Sequence, residues 1–159
     1  MGLDERLANL AILTFKPDPA LARFWVIPPQ PECQPFFFLL MLKLMGEWDS
    51  CFVWRHMGSW PAKANRQRPN DMVEFQILSG LDLPMGTADI VQYKKSEIFR
   101  LVTLLFSTTA FGWSVGQDVY VVPDNAQFIM KASHHDEVHV SFRDDKSLRQ
   151  FVKSMKKEK

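Results

Sequence analysis

The densest group of side chains able to bind a metal or transfer a proton lies at residues 134–139. In order they are His134, His135, Asp136, Glu137, Val138 and His139. His135 and His139 have the separation of the two zinc-binding histidines of a helical H-E-x-x-H motif, but that motif requires Glu where this chain has Asp136. One hypothesis is therefore a small metal-dependent hydrolase, with a ligand or proton-transfer set of His134, His135, Glu137 and His139.

The sequence around these histidines favours a strand over a helix. Val138, Val140 and Phe142 alternate with polar residues, which is typical of a half-buried strand. In a strand the outer histidines would be roughly 13 Å apart at about 3.3 Å per residue, too far to share one zinc through bonds of roughly 2.1 Å. We therefore expect a polar hairpin turn at residues 133–136, with His139 on the solvent face of the strand, and no cofactor.

A second motif, at residues 112–116, has the G-x-S-x-G pattern of a serine hydrolase, with Ser114 in the place of the nucleophile. That pattern works at a turn from a strand into a helix, above a parallel sheet. Here a helical pattern precedes the motif and a strand pattern follows it. We interpret the motif as a helix end whose glycines permit a chain reversal, and we assign no catalytic residue.

A third candidate site combines cations with flat aromatic side chains near a long loop. Residues 58–71 contain prolines and asparagines with almost no apolar periodicity, which predicts an exposed loop. The candidate partner-binding residues in and beside it are Trp54, Trp60, Lys63, Arg66 and Arg68. Trp and Arg frequently anchor protein interfaces, and the same combination can hold single-stranded nucleic acid by charge and stacking.

Composition and charge limit the classes of partner that we expect the protein to bind. The 159 residues include 19 Lys and Arg against 18 Asp and Glu, so no global field favours nucleic acid or an anionic membrane. The longest apolar run, residues 35–42, is too short to span a bilayer, which needs about 20 residues. Cys33 and Cys51 are too few for a disulfide framework, and no secretory signal is recognisable, so we expect reduced thiols and a cytoplasmic location.

Apolar spacing predicts the elements that must position these residues. Helices are predicted at residues 4–13, 20–25, 36–45, 96–107 and 145–155. Strands are predicted at residues 51–56, 72–78, 88–93, 118–122, 127–132 and 137–143. The helix that begins at Ser96 is apolar over most of its circumference, which indicates a central position in the core.

Together these patterns predict one α+β domain over residues 1–159. We expect a helix-rich amino-terminal half and an antiparallel sheet of about three to five strands. The sheet should pack on the hydrophobic central helix and on a C-terminal amphipathic helix, followed by a frayed basic tail at residues 156–159.

The predicted function is a small non-catalytic protein-binding module, because no catalytic group passes the geometric tests. A stoichiometric inhibitor or immunity-type partner of another bacterial protein is the concrete version. Its partner is another protein and not a membrane. The metal-dependent hydrolase and single-stranded nucleic-acid binding through residues 54–68 stay open as alternatives.

Overall fold

A computed structural model describes residues 18–55, 60–61, 69–87, 90–111, 118–133 and 135–157. The strands are β1 (Ala22–Val26), β2 (Ser50–Arg55), β3 (Val91–Lys94), β4 (Val119–Pro123), β5 (Phe128–Ser133) and β6 (Glu137–Phe142). The α-helices are α1 (Gln34–Leu44), α2 (Pro69–Ser79), α3 (Ile98–Ala110) and α4 (Asp145–Lys157). Short 3-10 helices cover Pro19–Leu21, Pro31–Cys33 and Lys95–Glu97.

The strands form a single antiparallel sheet with the order β1-β6-β5-β4-β2-β3. The predicted meander of β4, β5 and β6 is confirmed, and so is the α+β class. The predicted number of strands is too small, because the described part of the chain contains six. The amino-terminal half contributes the strands β1 and β2 to this sheet beside the helices α1 and α2, and these strands pair with β6 and β4.

One face of the sheet packs against the helices and forms the main core. Side chains alternate along each strand, so Val53, Val121, Met130 and Val140 point to the same side and are fully buried. The helices cover them with apolar residues that include Phe38, Leu101, Leu104 and Phe151. The central position predicted for α3 is confirmed, and none of the described helices has the length and apolar character needed to cross a membrane.

The other face of the sheet carries a separate apolar cluster. Val122 is buried there and packs against Phe52, Trp54 and Ile129, all of which lie on strands. No helix of the described ranges contributes to this cluster. We refer to this side of the sheet, on which Phe52, Trp54 and Val122 lie, as the helix-free face.

Residues 72–78 form part of helix α2, so the predicted strand is wrong. The alternation of Val73, Phe75 and Ile77 suggested a strand, but the buried side chains are Glu74 and Leu78, four residues apart. That spacing places both on one helical face. Proline is well tolerated in the first turn of a helix, which suits Pro69 at the start of α2.

Four further expectations need correction or lie outside the described residues. The helix predicted at residues 20–25 is a 3-10 turn followed by β1, and Asp18 Oδ1 caps that turn by accepting from Ala20 N–H at 2.8 Å. The basic tail was predicted to be frayed from residue 156, but α4 extends to Lys157. Residues 4–13 and the motif at 112–116 lie outside the described ranges.

Candidate functional site

A row of aromatic and basic side chains crosses the helix-free face. The strand register places Trp54 opposite Tyr120, Tyr120 opposite Lys131, Lys131 opposite His139, and His139 opposite Phe24. Opposite residues on neighbouring strands share a face and lie within about 5.5 Å of one another. We call these five residues the cross-sheet row; it connects the meander β4-β5-β6 with β2 and β1, which come from distant parts of the sequence.

The two ends of the cross-sheet row differ in exposure. The Trp54 and Tyr120 rings stack with centroids 5.4 Å apart and planes 8° apart, and both side chains are half-buried. Burial raises the pKa of Tyr120, with a further contribution from Asp118. Phe24 is 67% exposed at the opposite end, beside His139 at a ring distance of 6.3 Å. The row therefore has a packed end on β2 and an open end on β1.

Of the aromatic and basic residues predicted near the loop, the structure describes Trp54 and Trp60, and these two differ in exposure. Trp54 belongs to the cross-sheet row, but Trp60 is only 1% exposed. Its backbone N–H donates to Thr87 O at 2.7 Å, and its carbonyl accepts from Gly86 N–H at 2.9 Å. Trp60 is thus a core residue, and the prediction that residues 58–71 form an exposed loop is wrong at Trp60 and at the start of α2. Lys63, Arg66 and Arg68 lie outside the described residues.

The histidine cluster adopts the hairpin that the sequence predicts. His135 and Asp136 form the turn, and Glu137 begins β6. His139 lies on the helix-free face, partly exposed, with Nε2 at 2.9 Å from Glu137 Oε2. In the part of the chain that the structure describes, no three His, Cys, Asp or Glu side chains are placed to hold one metal ion. His134, the fourth residue of the predicted ligand set, lies outside the described residues.

A buried ion pair, which the sequence reasoning missed, connects α2 to the end of β2. Arg55 Nη2 donates to Glu74 Oε1 at 3.1 Å, and the two side chains are 5% and 2% exposed. Burial raises the pKa of Glu74 to about 7 against the opposing effect of Arg55, and nearby Asp71 adds to the rise. Burial likewise lowers the pKa of Arg55. The pair holds the end of β2, next to Trp54, against α2. Its only signal in the sequence is the four-residue spacing of Glu74 and Leu78, which would place both on one face of a helix.

A cleft between β1 and α4 has an apolar floor and basic walls. It has a volume of about 320 Å³ and is lined by Arg23, Leu148, Arg149, Val152, Lys153 and Lys156. Arg149 also pairs with the exposed Asp145. We call this feature the basic cleft; its charge and shape suit an anionic group attached to an aliphatic stem.

The two cysteines should react very differently with thiol reagents. Cys33 is exposed, whereas Cys51 is buried in β2 and burial raises its pKa to about 12. Because the thiolate is the reactive form, we expect an aromatic disulfide reagent at pH 8 to titrate one thiol of the folded protein, and the second only after denaturation. Cys33→Ser should abolish the fast reaction. Two fast thiols in the folded protein would contradict the burial of Cys51.

Comparison with known proteins brings no functional assignment. No protein-family model, no curated protein and no solved structure matches the chain. The function is therefore inferred from the chemistry of the helix-free face, the basic cleft and the sheet edge between them.

Proposed function

We propose that this protein is a non-catalytic protein-binding module that engages its partner through the helix-free face and the adjoining strand β1. A stoichiometric inhibitor or an immunity-type protein is the form of activity that we favour. The observation that carries the proposal is the exposure of Phe24 and Val26, each 67% exposed, on the same side of one strand. Apolar side chains that lie exposed together commonly mark interaction surfaces.

The cross-sheet row supports this proposal with the residue types that anchor interfaces. Trp and Tyr contribute a large share of binding energy in protein interfaces. Here Trp54 stacks on Tyr120 and packs against the buried Val122. Because β-sheet residues are held by the backbone ladder, they lose little conformational entropy when a partner binds.

The charges on the row favour protein over single-stranded nucleic acid. Binding of nucleic acid needs free cations along the path of the phosphates, in addition to aromatic rings. Lys131 pairs with Asp118 at 3.5 Å, and His139 hydrogen-bonds Glu137 at 2.9 Å. Both basic members of the row therefore lie beside a carboxylate.

We expect the protein to co-purify, from cells that naturally make it, with one protein partner near a 1:1 ratio, and this complex to depend on Phe24. Phe24→Ser should reduce capture of the partner at least about tenfold, since loss of an aromatic anchor commonly costs 2 kcal/mol or more. Phe36→Ser is the matched control, because Phe36 is 76% exposed but lies on α1, behind the other face of the sheet.

Four outcomes of this capture experiment would contradict the proposal. They are the absence of any stoichiometric protein, retention of the partner by Phe24→Ser, equal loss with Phe36→Ser, and capture of nucleic acid that weakens steeply as salt rises. The last outcome would support the nucleic-acid alternative.

A further inference from the structure

Strand β1 lies at an edge of the sheet and has backbone groups that point outward. Ile27 N–H donates to Asp136 O at 2.7 Å, and alternate residues of an antiparallel strand bond to the same neighbour. Trp25 and Arg23 therefore bond to β6, and the backbone groups of Phe24 and Val26 point away from it. The bond from Arg143 N–H to Gln127 O at 2.9 Å fixes the alternation of β6 in the same sense.

One charged residue lies on this edge strand, Arg23, whose Nη1 donates to Ala22 O at 2.6 Å, whereas Phe24 and Val26 further along are apolar and 67% exposed. Edge strands are commonly protected by Lys, Pro or a bulge, and β1 reads Ala-Arg-Phe-Trp-Val with regular pairing to β6. The opposite edge, β3, has four residues and contains Lys94, whose outward N–H already donates to Glu97 Oε2 at 3.0 Å. Of the two edges of the described sheet, β1 is the one open to a further strand.

The surroundings of β1 define which side chains an added strand would need. On the helix-free face it would lie beside the exposed Phe24 and Val26, which call for apolar residues. On the opposite face it would lie beside Arg23 and the basic cleft, whose lining includes four cations and no carboxylate. Since successive side chains of a strand alternate between faces, the matching segment alternates apolar and acidic residues.

We propose that β1 binds an extended segment of the partner protein as a seventh strand, and that this segment alternates apolar and acidic residues. The inference rests on the proposed function and specifies the partner's chemistry. Main-chain hydrogen bonds would supply affinity and the alternating side chains specificity, as in other cases of strand addition. Glutamate fits the basic cleft well, because its stem can lie on Val152 while its carboxylate reaches Lys153 or Lys156.

A second copy of this chain fits the same edge less well. Pairing of two β1 strands around a two-fold axis would bring two basic clefts close to each other. The cations of one copy, Arg23, Lys153 and Lys156 among them, would then face the like charges of the other, which is unfavourable. Charge complementarity therefore selects an acidic segment over a symmetric dimer.

The test uses a blocked seven-residue peptide of alternating valine and glutamate as the probe. We expect it to bind the full chain in calorimetry and to shift the amide resonances of Phe24 and Val26. Phe24→Pro should weaken binding at least about tenfold, because proline removes an outward N–H that β6 does not use. Gln92→Pro is the matched control: its N–H points outward from β3 by the same alternation, and affinity should stay within about twofold.

A second arm tests the charge of the basic cleft. Lys153→Glu combined with Lys156→Glu should weaken binding of the valine–glutamate peptide at least about tenfold. This charge-reversed variant should instead bind a valine–lysine peptide. Equal binding of both peptides to the unmodified protein would overturn the proposal, and so would unchanged binding to Phe24→Pro. A dimer in light scattering that Phe24→Pro converts to a monomer would assign the edge to a second copy.

Failure of this inference can be distinguished from failure of the proposed function. If no peptide binds but a stoichiometric protein partner still depends on Phe24, the strand-addition inference is wrong and protein binding stands. If the peptide binds as expected but no natural partner is captured, the edge is competent to bind and the proposed function is wrong.

Discussion

Replacement of Arg55 by methionine will destabilise the protein by about 3–5 kcal/mol at pH 8, the usual cost of removing one partner of a buried ion pair. Arg55 and Glu74 are 5% and 2% exposed, so the variant removes the guanidinium that faces the Glu74 carboxylate inside the protein. The loss should be measured as the free energy of unfolding in urea, followed by tryptophan fluorescence. At pH 5 the loss should be smaller, because burial already favours the neutral form of Glu74.

Two further variants separate the ion pair from a general effect of substitution. Arg55→Met combined with Glu74→Leu should recover most of the lost stability, since apolar residues can replace a buried pair at little cost. Arg149→Met breaks the exposed pair with Asp145 and should change stability by less than about 1 kcal/mol. A double variant no more stable than Arg55→Met, or equal costs for Arg55→Met and Arg149→Met, would disprove the role assigned to the pair.

The elements that could be predicted from the sequence are those whose spacing of apolar residues matches the spacing of buried positions in the fold. The helix α3 is apolar on most sides because it packs both against the sheet and against α1 and α2. The strands β4, β5 and β6 are joined by short turns, so local signals and tertiary pairing agree. In such segments apolar residues recur along the sequence at the same interval as buried positions recur along the element.

The elements that were predicted wrongly owe their structure to distant partners. The strand β1 exists because it pairs with β6, more than a hundred residues away, and its own spacing of Leu21, Phe24 and Trp25 fits a helix equally well. In α2 the buried polar residue is Glu74, whose burial depends on Arg55. A charged residue at a buried position inverts the hydrophobic pattern on which sequence reasoning depends.

The candidate site was accessible from the sequence only in part. Trp54 and His139 were singled out by residue type, and the turn at His135 and Asp136 was recognised from polar clustering. The cross-sheet row could not be predicted, because a shift of one residue in register moves every side chain to the other face. Nothing in the sequence around Phe24 indicates that its side chain is exposed, because this exposure follows from the position of β1 at the sheet edge.

The ionisation of Glu74 gives a second large and testable effect, a loss of stability as the pH rises. The pKa of Glu74 is raised from 4.5 to about 7 in the folded protein by burial, so between these pH values the folded state holds a proton that the unfolded state has released. The contribution of Glu74 to stability therefore falls with rising pH across this window, is largest below pH 4.5, and levels off above pH 7. The total change is roughly 3 kcal/mol, at about 1.4 kcal/mol per pH unit.

Glu74→Gln isolates this contribution from all other titrating groups. The variant keeps a hydrogen-bond acceptor for Arg55 but cannot ionise, so the difference in unfolding free energy between the two proteins should be flat below pH 4.5. Between pH 4.5 and pH 7 the unmodified protein should lose roughly 3 kcal/mol of unfolding free energy relative to the variant. Glu97→Gln, at an acceptor for the partly exposed Arg100, is measured beside it as the control for replacing a carboxylate by an amide elsewhere in the chain. A constant difference between Glu74→Gln and the unmodified protein would mean that Glu74 stays ionised throughout and that Arg55 outweighs its burial.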